Sequence, residues 1–343
     1  MYNKELSLKS LFDNDLQLDK HKILFSRAFK RMANKTQVWS NSSGSNGHKH
    51  RTRLTHSLEV ASLSYAVADK LGFNPLLSEI LGLAHDIGHA PFGHSGQDVL
   101  DSCLKHCSGG KERFEHNDQA VRVFSIIENL NLSPIVLQGL CKRNQIKTVS
   151  QYGEAQVTDA CDAIAYTAGD IEDAIRLNYF TIDDLAKESN LVDEIVKDGV
   201  SNGLSGSDLV RHLHSGLVVT LANDLINQSK KNIESIGLSK SENLGFEISK
   251  LKDGHIEMSK KMRIEMQKLV KFMMKNVYRS EKMIFERLKS DKHLEETFYK
   301  LIDNHESLKG TDFYDRYLLG ETSLERMVCD YIAGCDDKFV MQI

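Results

Sequence analysis

Apolar residues recur at intervals of three and four along most of this chain, the spacing of amphipathic helices. From about Lys20 to Asn34 the apolar set is Ile23, Leu24, Phe25, Ala28, Phe29 and Met32, which predicts one helix after an arm of some 20 residues. Over residues 51–72, Leu54, Leu58, Ala61, Tyr65 and Ala68 predict a second, with Gly72 as its stop. Residues 75–87 form a more apolar helix that carries His85 and Asp86, and the pattern breaks from Gly88 to Gly93. Ser95 is placed to cap a helix reaching about Lys105, and loop residues follow at Ser108–Gly110. Helices are expected at 116–129 and 134–143, the latter with Ser133 as N-cap and Pro134 in first position. Residues 153–177 read as one long helix. Beyond it the helical segments 206–229, 256–290, 292–306 and 321–334 are more polar. Loops are expected at Ser40–Lys49, Asn202–Gly206 and Ser239–Asn243. No stretch sustains period-two alternation, so a β core is excluded and only a small hairpin near 240–256 is allowed. The reading is an all-α fold with 1–343 as a single domain.

Composition narrows the class. Three prolines in 343 residues suit long helices. The net charge of -4 gives no global basic field of the kind a nucleic-acid protein carries. The six cysteines include no CxxC pair and are expected as reduced thiols. The first residues lack a signal-peptide core and no run approaches the roughly 18 apolar residues of a membrane span, so a cytoplasmic protein without a membrane segment is expected.

Histidine placement points to chemistry. Eight of the fourteen histidines fall between residues 48 and 116. In LGLAHDIGHAPFGH, an apolar helix delivers His85 and Asp86 side by side. Burying an imidazole and a carboxylate together is costly unless something compensates, and a divalent cation compensates both. His56, on the preceding apolar helix, is a natural third ligand, and an acidic fourth should come from elsewhere. The 153–177 helix offers Asp162, with Tyr166 and Asp170 at i+4 and i+8 on the same face. Asp159, Glu172 and Asp173 lie on other faces and are read as solvated. A mixed His/Asp set with open positions suits manganese, iron, magnesium, zinc or nickel. Such a cation lowers the pKa of bound water and polarises a phosphoryl oxygen.

The strings AFKRMANKTQV (28–38), RTRLTHSLEV (51–60), LAHDIGHAPFGHSG (83–96), FEHNDQAVR (114–122), EAQVTDACDAIAYTAGDIEDA (154–174) and VCDYIAGCDDKF (328–339) follow one another along the chain. In that order they resemble the HD-domain deoxynucleoside triphosphate triphosphohydrolases, the dGTPase family, related to the vertebrate SAM- and HD-domain dNTPase. The resemblance implies an HD helical core over about 50–175, with additional C-terminal helices over about 176–343. It implies metal ligands at His56, His85, Asp86 and Asp162. It places His89 and His94 in the active site, His94 to ready water or protonate the leaving oxygen, and His116 facing the phosphates. Arg53 falls on a phosphate-contacting arginine, Gln37 on a glutamine near the nucleoside, and Tyr166 and Asp170 on residues at the deoxyribose. The implied reaction releases a deoxynucleoside and intact triphosphate from dGTP or another dNTP. Homo-oligomers, hexamers among them, and a response to single-stranded DNA are also implied. Residues Ser259–Arg279 interleave basic and apolar positions, as a DNA-facing helix or a solvated amphipathic one would.

One departure stands out. The family pattern has Glu or Asp three residues after the position of His94, partnering that histidine, whereas this chain has Gln97. An amide orients a ring but does not relay a proton. The pattern therefore also allows a dNTP-binding sensor with little turnover. A different HD hydrolase, acting on cyclic nucleotides, alarmones or nucleoside monophosphates, is a third reading.

Overall fold

The computed structural model describes residues 12–38, 51–141, 152–237 and 254–343. The expected Ser40–Lys49 and Ser239–Asn243 loops lie outside these residues, as does nearly all of the hairpin region. In chain order the helices are α1 (Asp15–Phe25), α2 (Arg27–Arg31), α3 (Arg53–Leu71), α4 (Pro75–Ala84), α5 (Gly93–Cys107), α6 (His116–Arg122), α7 (Pro134–Leu140) and α8 (Gly153–Arg176). They continue as α9 (Ile182–Ala186), α10 (Asn190–Ser201), α11 (Gly206–Ser235), α12 (Lys260–Met273), α13 (Glu281–Asp303), α14 (Asp312–Leu318), α15 (Leu324–Ala333) and α16 (Asp337–Val340). There is no strand among the described residues, only an isolated antiparallel bridge between Thr36 and Thr52. The fold is all-α, and no described helix is long and apolar enough to cross a membrane.

Polar caps explain where periodicity misplaced the boundaries. The helix expected over 20–34 is broken at Ser26, whose extended backbone ends α1 and whose hydroxyl accepts from Phe29 N–H to start α2. The arm is shorter than expected, because Asn14 caps α1 at residue 15. Ser95 caps nothing. Helix α5 begins two residues earlier, after Phe92 in the left-handed region (φ 62), and Ser95 instead donates to Asp291 of α13. Helix α6 ends at Arg122 in a π-helical turn, Val123–Ile127. The expected break near 291 is also misplaced. Ser280 caps α13, which runs unbroken through that region, while α12 closes in a π-helical turn over Met274–Tyr278. The short helices α9, α10 and α14 were not foreseen, although Thr181, Ser189 and Thr311 cap them.

Helices α3, α4 and α8 pack against one another, and α11 lies on α8. The α3/α4 contact is close because residue 82 is glycine: a Cβ there would stand 2.6 Å from Ala61 Cα. One core cluster joins α8, α10, α11 and α12, another joins α1, α2, α4 and α7, and a third joins α5, α13 and α15. Leu100, Leu104, Leu294 and Phe298 are fully buried in the third, and each such side chain contributes about 1.5–3 kcal/mol.

Buried polar groups fasten the C-terminal helices to the N-terminal half. Asp330 accepts from Gln119, Arg122 and Arg326. Asp337 accepts from the Thr36 N–H and hydroxyl and from Phe92 N–H, while Lys35 donates to the carbonyls of His89 and Ala333. Burial lowers the Lys35 ammonium to about 7. These bonds position the backbone just before Gln37 and His94.

Candidate active site

Helix α4 ends at Ala84, just before the two residues it was expected to carry. Its apolar face is buried, and His85 and Asp86 stand in the turn that follows Ala84. His85 Nδ1 donates to the Gly82 carbonyl at 2.8 Å, which fixes the tautomer and leaves Nε2 toward the carboxylates. His85 Nε2 is 3.4 Å from Asp86 Oδ1 and 3.6 Å from Asp162 Oδ1. His56 on α3 brings its Nε2 to 2.8 Å from the same Asp162 oxygen. Two imidazoles and two carboxylates from three separate segments thus converge. The donor atoms of His56, His85 and Asp86 lie within 4.8 Å of one another. Nitrogen and oxygen donors at this spacing fit a divalent metal.

The electrostatics fit as well. Burial alone would raise the Asp86 carboxyl, but His85, Arg53 and His89 outweigh it and hold it well below the carboxylate range. Asp162 is lowered likewise, burial being outweighed by His85 and His56. Both are therefore anionic at neutral pH. Arg53, buried at the start of α3, donates from Nη1 to Asp86 Oδ2 at 2.8 Å. Its Nε has no hydrogen-bond partner among the described residues.

Beside this centre stand three more imidazoles. The His89 ring stacks on His116 at 4.0 Å and meets His94 edge-on at 5.0 Å. His89 Nδ1 is 3.0 Å from Asp86 Oδ1. Burial, with Arg53 next, lowers His89 well below the usual range, and burial with Arg53 and His116 lowers His94. Both are neutral rings at physiological pH. The turn that holds them depends on Gly88: a Cβ at this position would lie 1.9 Å from the His116 carbonyl, so only glycine lets this turn pack on α6.

Gln97 does not partner His94 as expected. Its Oε1 accepts from the His116 backbone N–H at 3.0 Å and lies 2.7 Å from His116 Nδ1.

Gln37, Arg53, His85, Asp86, His89, His94, His116, Asp162, Tyr166 and Asp170 all line a cavity of about 840 Å³, with His56 behind Asp162. Asp170 is buried and accepts from Tyr278, and burial pushes its carboxyl up to about 7. Gln37 Oε1 is buried without a hydrogen-bond partner among the described residues. The sequence reading missed the opposite wall, where Met274 and Tyr278 follow α12 and Glu286, Arg287 and Ser290 lie on α13. Helical spacing does not distinguish a side chain facing a cavity from one facing the core. The three acids read as solvated are also placed differently. Asp159 lines the cavity, and Glu172 and Asp173 pair with Arg51 at 2.7 and 3.2 Å.

Comparison with known proteins identifies the family. Residues 53–175 match the HD domain family and residues 256–343 match the phosphohydrolase-associated domain. A deoxyguanosinetriphosphate triphosphohydrolase-like protein of Geobacter sulfurreducens is 33% identical over 94% of this chain and 86% of its own length. Proteins of the same description from Leptospira interrogans and Rickettsia typhi are 34% and 31% identical over 95% and 98% of this chain, and 88% and 92% of theirs. The HD domain of a Listeria monocytogenes phosphodiesterase covers 57% of this chain and 97% of its own at 16% identity, with a TM-score of 0.31, too loose a match to bear on function. With its HD domain and this identity along nearly its whole length, the chain belongs to the deoxyguanosinetriphosphate triphosphohydrolase-like family of HD-domain phosphohydrolases.

Proposed function

We propose that this protein hydrolyses deoxynucleoside triphosphates, dGTP first among them, to the deoxynucleoside and inorganic triphosphate. In this reading His56, His85, Asp86 and Asp162 hold a divalent metal. The observation that supports it most is the cavity, whose lining joins Arg53, His89, His94 and His116, which suit a polyphosphate, to Gln37, Tyr166, Asp170 and Tyr278, which suit a deoxynucleoside. A volume of about 840 Å³ accommodates such a ligand.

When bound, the metal supplies Lewis acidity toward a phosphoryl oxygen and lowers the pKa of bound water. Arg53 offsets phosphate charge through the donors that Asp86 does not occupy. His94, kept neutral by burial, is in the form that accepts a proton from attacking water. His116 hydrogen-bonds phosphate oxygens, and His89, its Nδ1 toward Asp86, holds the His116 ring by stacking on it. Asp170, with Tyr278 on it, accepts from the 3′-hydroxyl, and the Gln37 carbonyl oxygen awaits a donor on the nucleoside. Because α12 and α13 complete the cavity, residues 1–343 are read as one functional unit.

Incubation with each dNTP and manganese tests the proposal. Triphosphate and deoxynucleoside are the expected products, and release of pyrophosphate or orthophosphate instead would rule this reaction out. Homo-oligomers and single-stranded DNA binding are carried over from the family resemblance. The exposed Ile284, Phe285 and Leu288 of α13 offer an apolar face for self-association, and the exposed Lys261 and Lys271 of α12, with Lys275 in the turn that follows it, offer cationic groups. Analytical ultracentrifugation and salt-dependent DNA binding check the two, and a monomer or salt-insensitive binding would remove the corresponding expectation.

A further inference from the structure

The acid missing at position 97 has a replacement one residue before His116. Glu115 precedes α6, and its Oε1 lies 2.9 Å from His116 Nδ1. Its Oε2 accepts from the backbone N–H groups of Asn117 and Asp118 at 2.9 and 3.3 Å, and Oε1 accepts from the Asn117 amide at 2.9 Å. These bonds hold the carboxylate against the imidazole. Burial would raise the Glu115 carboxyl, but the bond and charge of His116 and the two backbone amides outweigh it and keep it below the usual range.

His116 is enclosed by groups that divide their tasks. The His89 ring stacks on one face and the edge contact of His94 is 5.5 Å away. The amide oxygen of Gln97 and the carboxylate of Glu115 both reach Nδ1. An amide oxygen fixes the tautomer but adds no net charge. A carboxylate at 2.9 Å also stabilises the imidazolium. With Nδ1 taken, Nε2 is the ring nitrogen left for substrate.

We propose that Glu115 is the positioning residue of this site. It supplies through His116 the carboxylate that position 97 lacks, while Gln97 only orients the ring. His116 then carries a proton on Nε2 that it gives to the departing 5′ oxygen: the Nε2–H bond breaks, an O–H bond forms on the deoxynucleoside, and the ring returns to its neutral form. This inference rests on the triphosphohydrolase reading of the cavity.

The test compares the full-length protein with Glu115→Gln, Gln97→Glu and the double variant. Triphosphate release from dGTP with manganese is followed across pH, and the His116 ring is titrated by NMR in each protein. Glu115→Gln is expected to lower kcat about 10²-fold with KM nearly unchanged. It should also move the His116 titration midpoint and the basic limb of the rate profile to lower pH. Adding Gln97→Glu returns a carboxylate to the same Nδ1 and is expected to recover at least about tenfold of kcat and the original midpoint.

A Glu115→Gln protein within about twofold of the parent, or an unmoved His116 midpoint, overturns the proposal. So does a loss that tracks only a lowered Tm and is not recovered in the double variant, since that is the signature of a lost helix cap. Failure of the underlying reading is separable: the parent protein would release no triphosphate from any dNTP. The NMR titration still decides the Glu115–His116 pairing in that case.

Discussion

Replacing Asp170 with Asn should make the protein more stable and less active, and the stability gain should depend on pH. The Asp170 side chain is buried, and burial raises its carboxyl from 3.8 to about 7 against the opposing bond from Tyr278. An acid whose folded-state pKa lies above its unfolded value binds more protons folded than unfolded between the two. Stability therefore falls as pH rises through roughly 4 to 7, and stays low above that window. At about 1.36 kcal/mol per pH unit, Asp170 costs the folded protein about 4 kcal/mol at pH 8, where it is ionised, and less than half of that at pH 5, where it takes up a proton on folding. Asparagine carries no charge and keeps an oxygen for the Tyr278 hydroxyl, so most of this cost disappears. With an unfolding entropy of roughly 2.1 cal/mol/K per residue, 343 residues convert about 4 kcal/mol into about 5–6 °C of Tm. The assay is thermal unfolding of both proteins in chelator at pH 5 and pH 8, beside kcat/KM for dGTP. The variant should melt about 5–6 °C higher at pH 8, with a gap less than half as large at pH 5, and lose activity for want of the carboxylate at the sugar. A variant that melts below the parent at pH 8, or by an equal margin at both pH values, would refute the reasoning.

Other parts of the site make their own predictions. Adding manganese to chelator-treated protein should raise Tm by linkage, and His85→Ala should abolish most of that rise; an undiminished rise would place the metal elsewhere. Arg51→Met strips Glu59, Glu172, Asp173 and the Gly169 carbonyl of their shared guanidinium, and should cost about 3–5 kcal/mol in urea unfolding; a change under about 1 kcal/mol would mean the cluster is solvated after all. Gly88→Ala forces a Cβ into the His116 carbonyl, so kcat should fall at least about tenfold through displacement of the His89–His116 stack, and unchanged kinetics would show that the turn yields freely.

Particular residues show how far the chain alone was informative. Helix spacing located α3, α4 and α8 because α3 and α8 run for 19 and 24 residues with recurring apolar positions and α4 is apolar nearly throughout. The ligand candidates were legible because a buried HD pair demands compensation wherever it folds. Short helices such as α9 and α14 were not, since five to seven residues give too few turns for a period to register. The break before α13 was missed because one serine hydroxyl decides it, while the apolar spacing continues across it.

Side-chain periodicity along single segments thus determined the helical class, while the chemistry of the HD pair and the family's motifs pointed to His56, His85, Asp86 and Asp162. Tertiary structure alone decided which acids meet which bases. Glu172 and Asp173 turn toward Arg51, Tyr278 reaches Asp170 across 108 residues, and Gln97 and Glu115 share His116 while neither is placed on His94. Periodicity reports the face of a helix a residue occupies; only packing sets what stands opposite that face, and electrostatic pairing depends on the few ångströms between them.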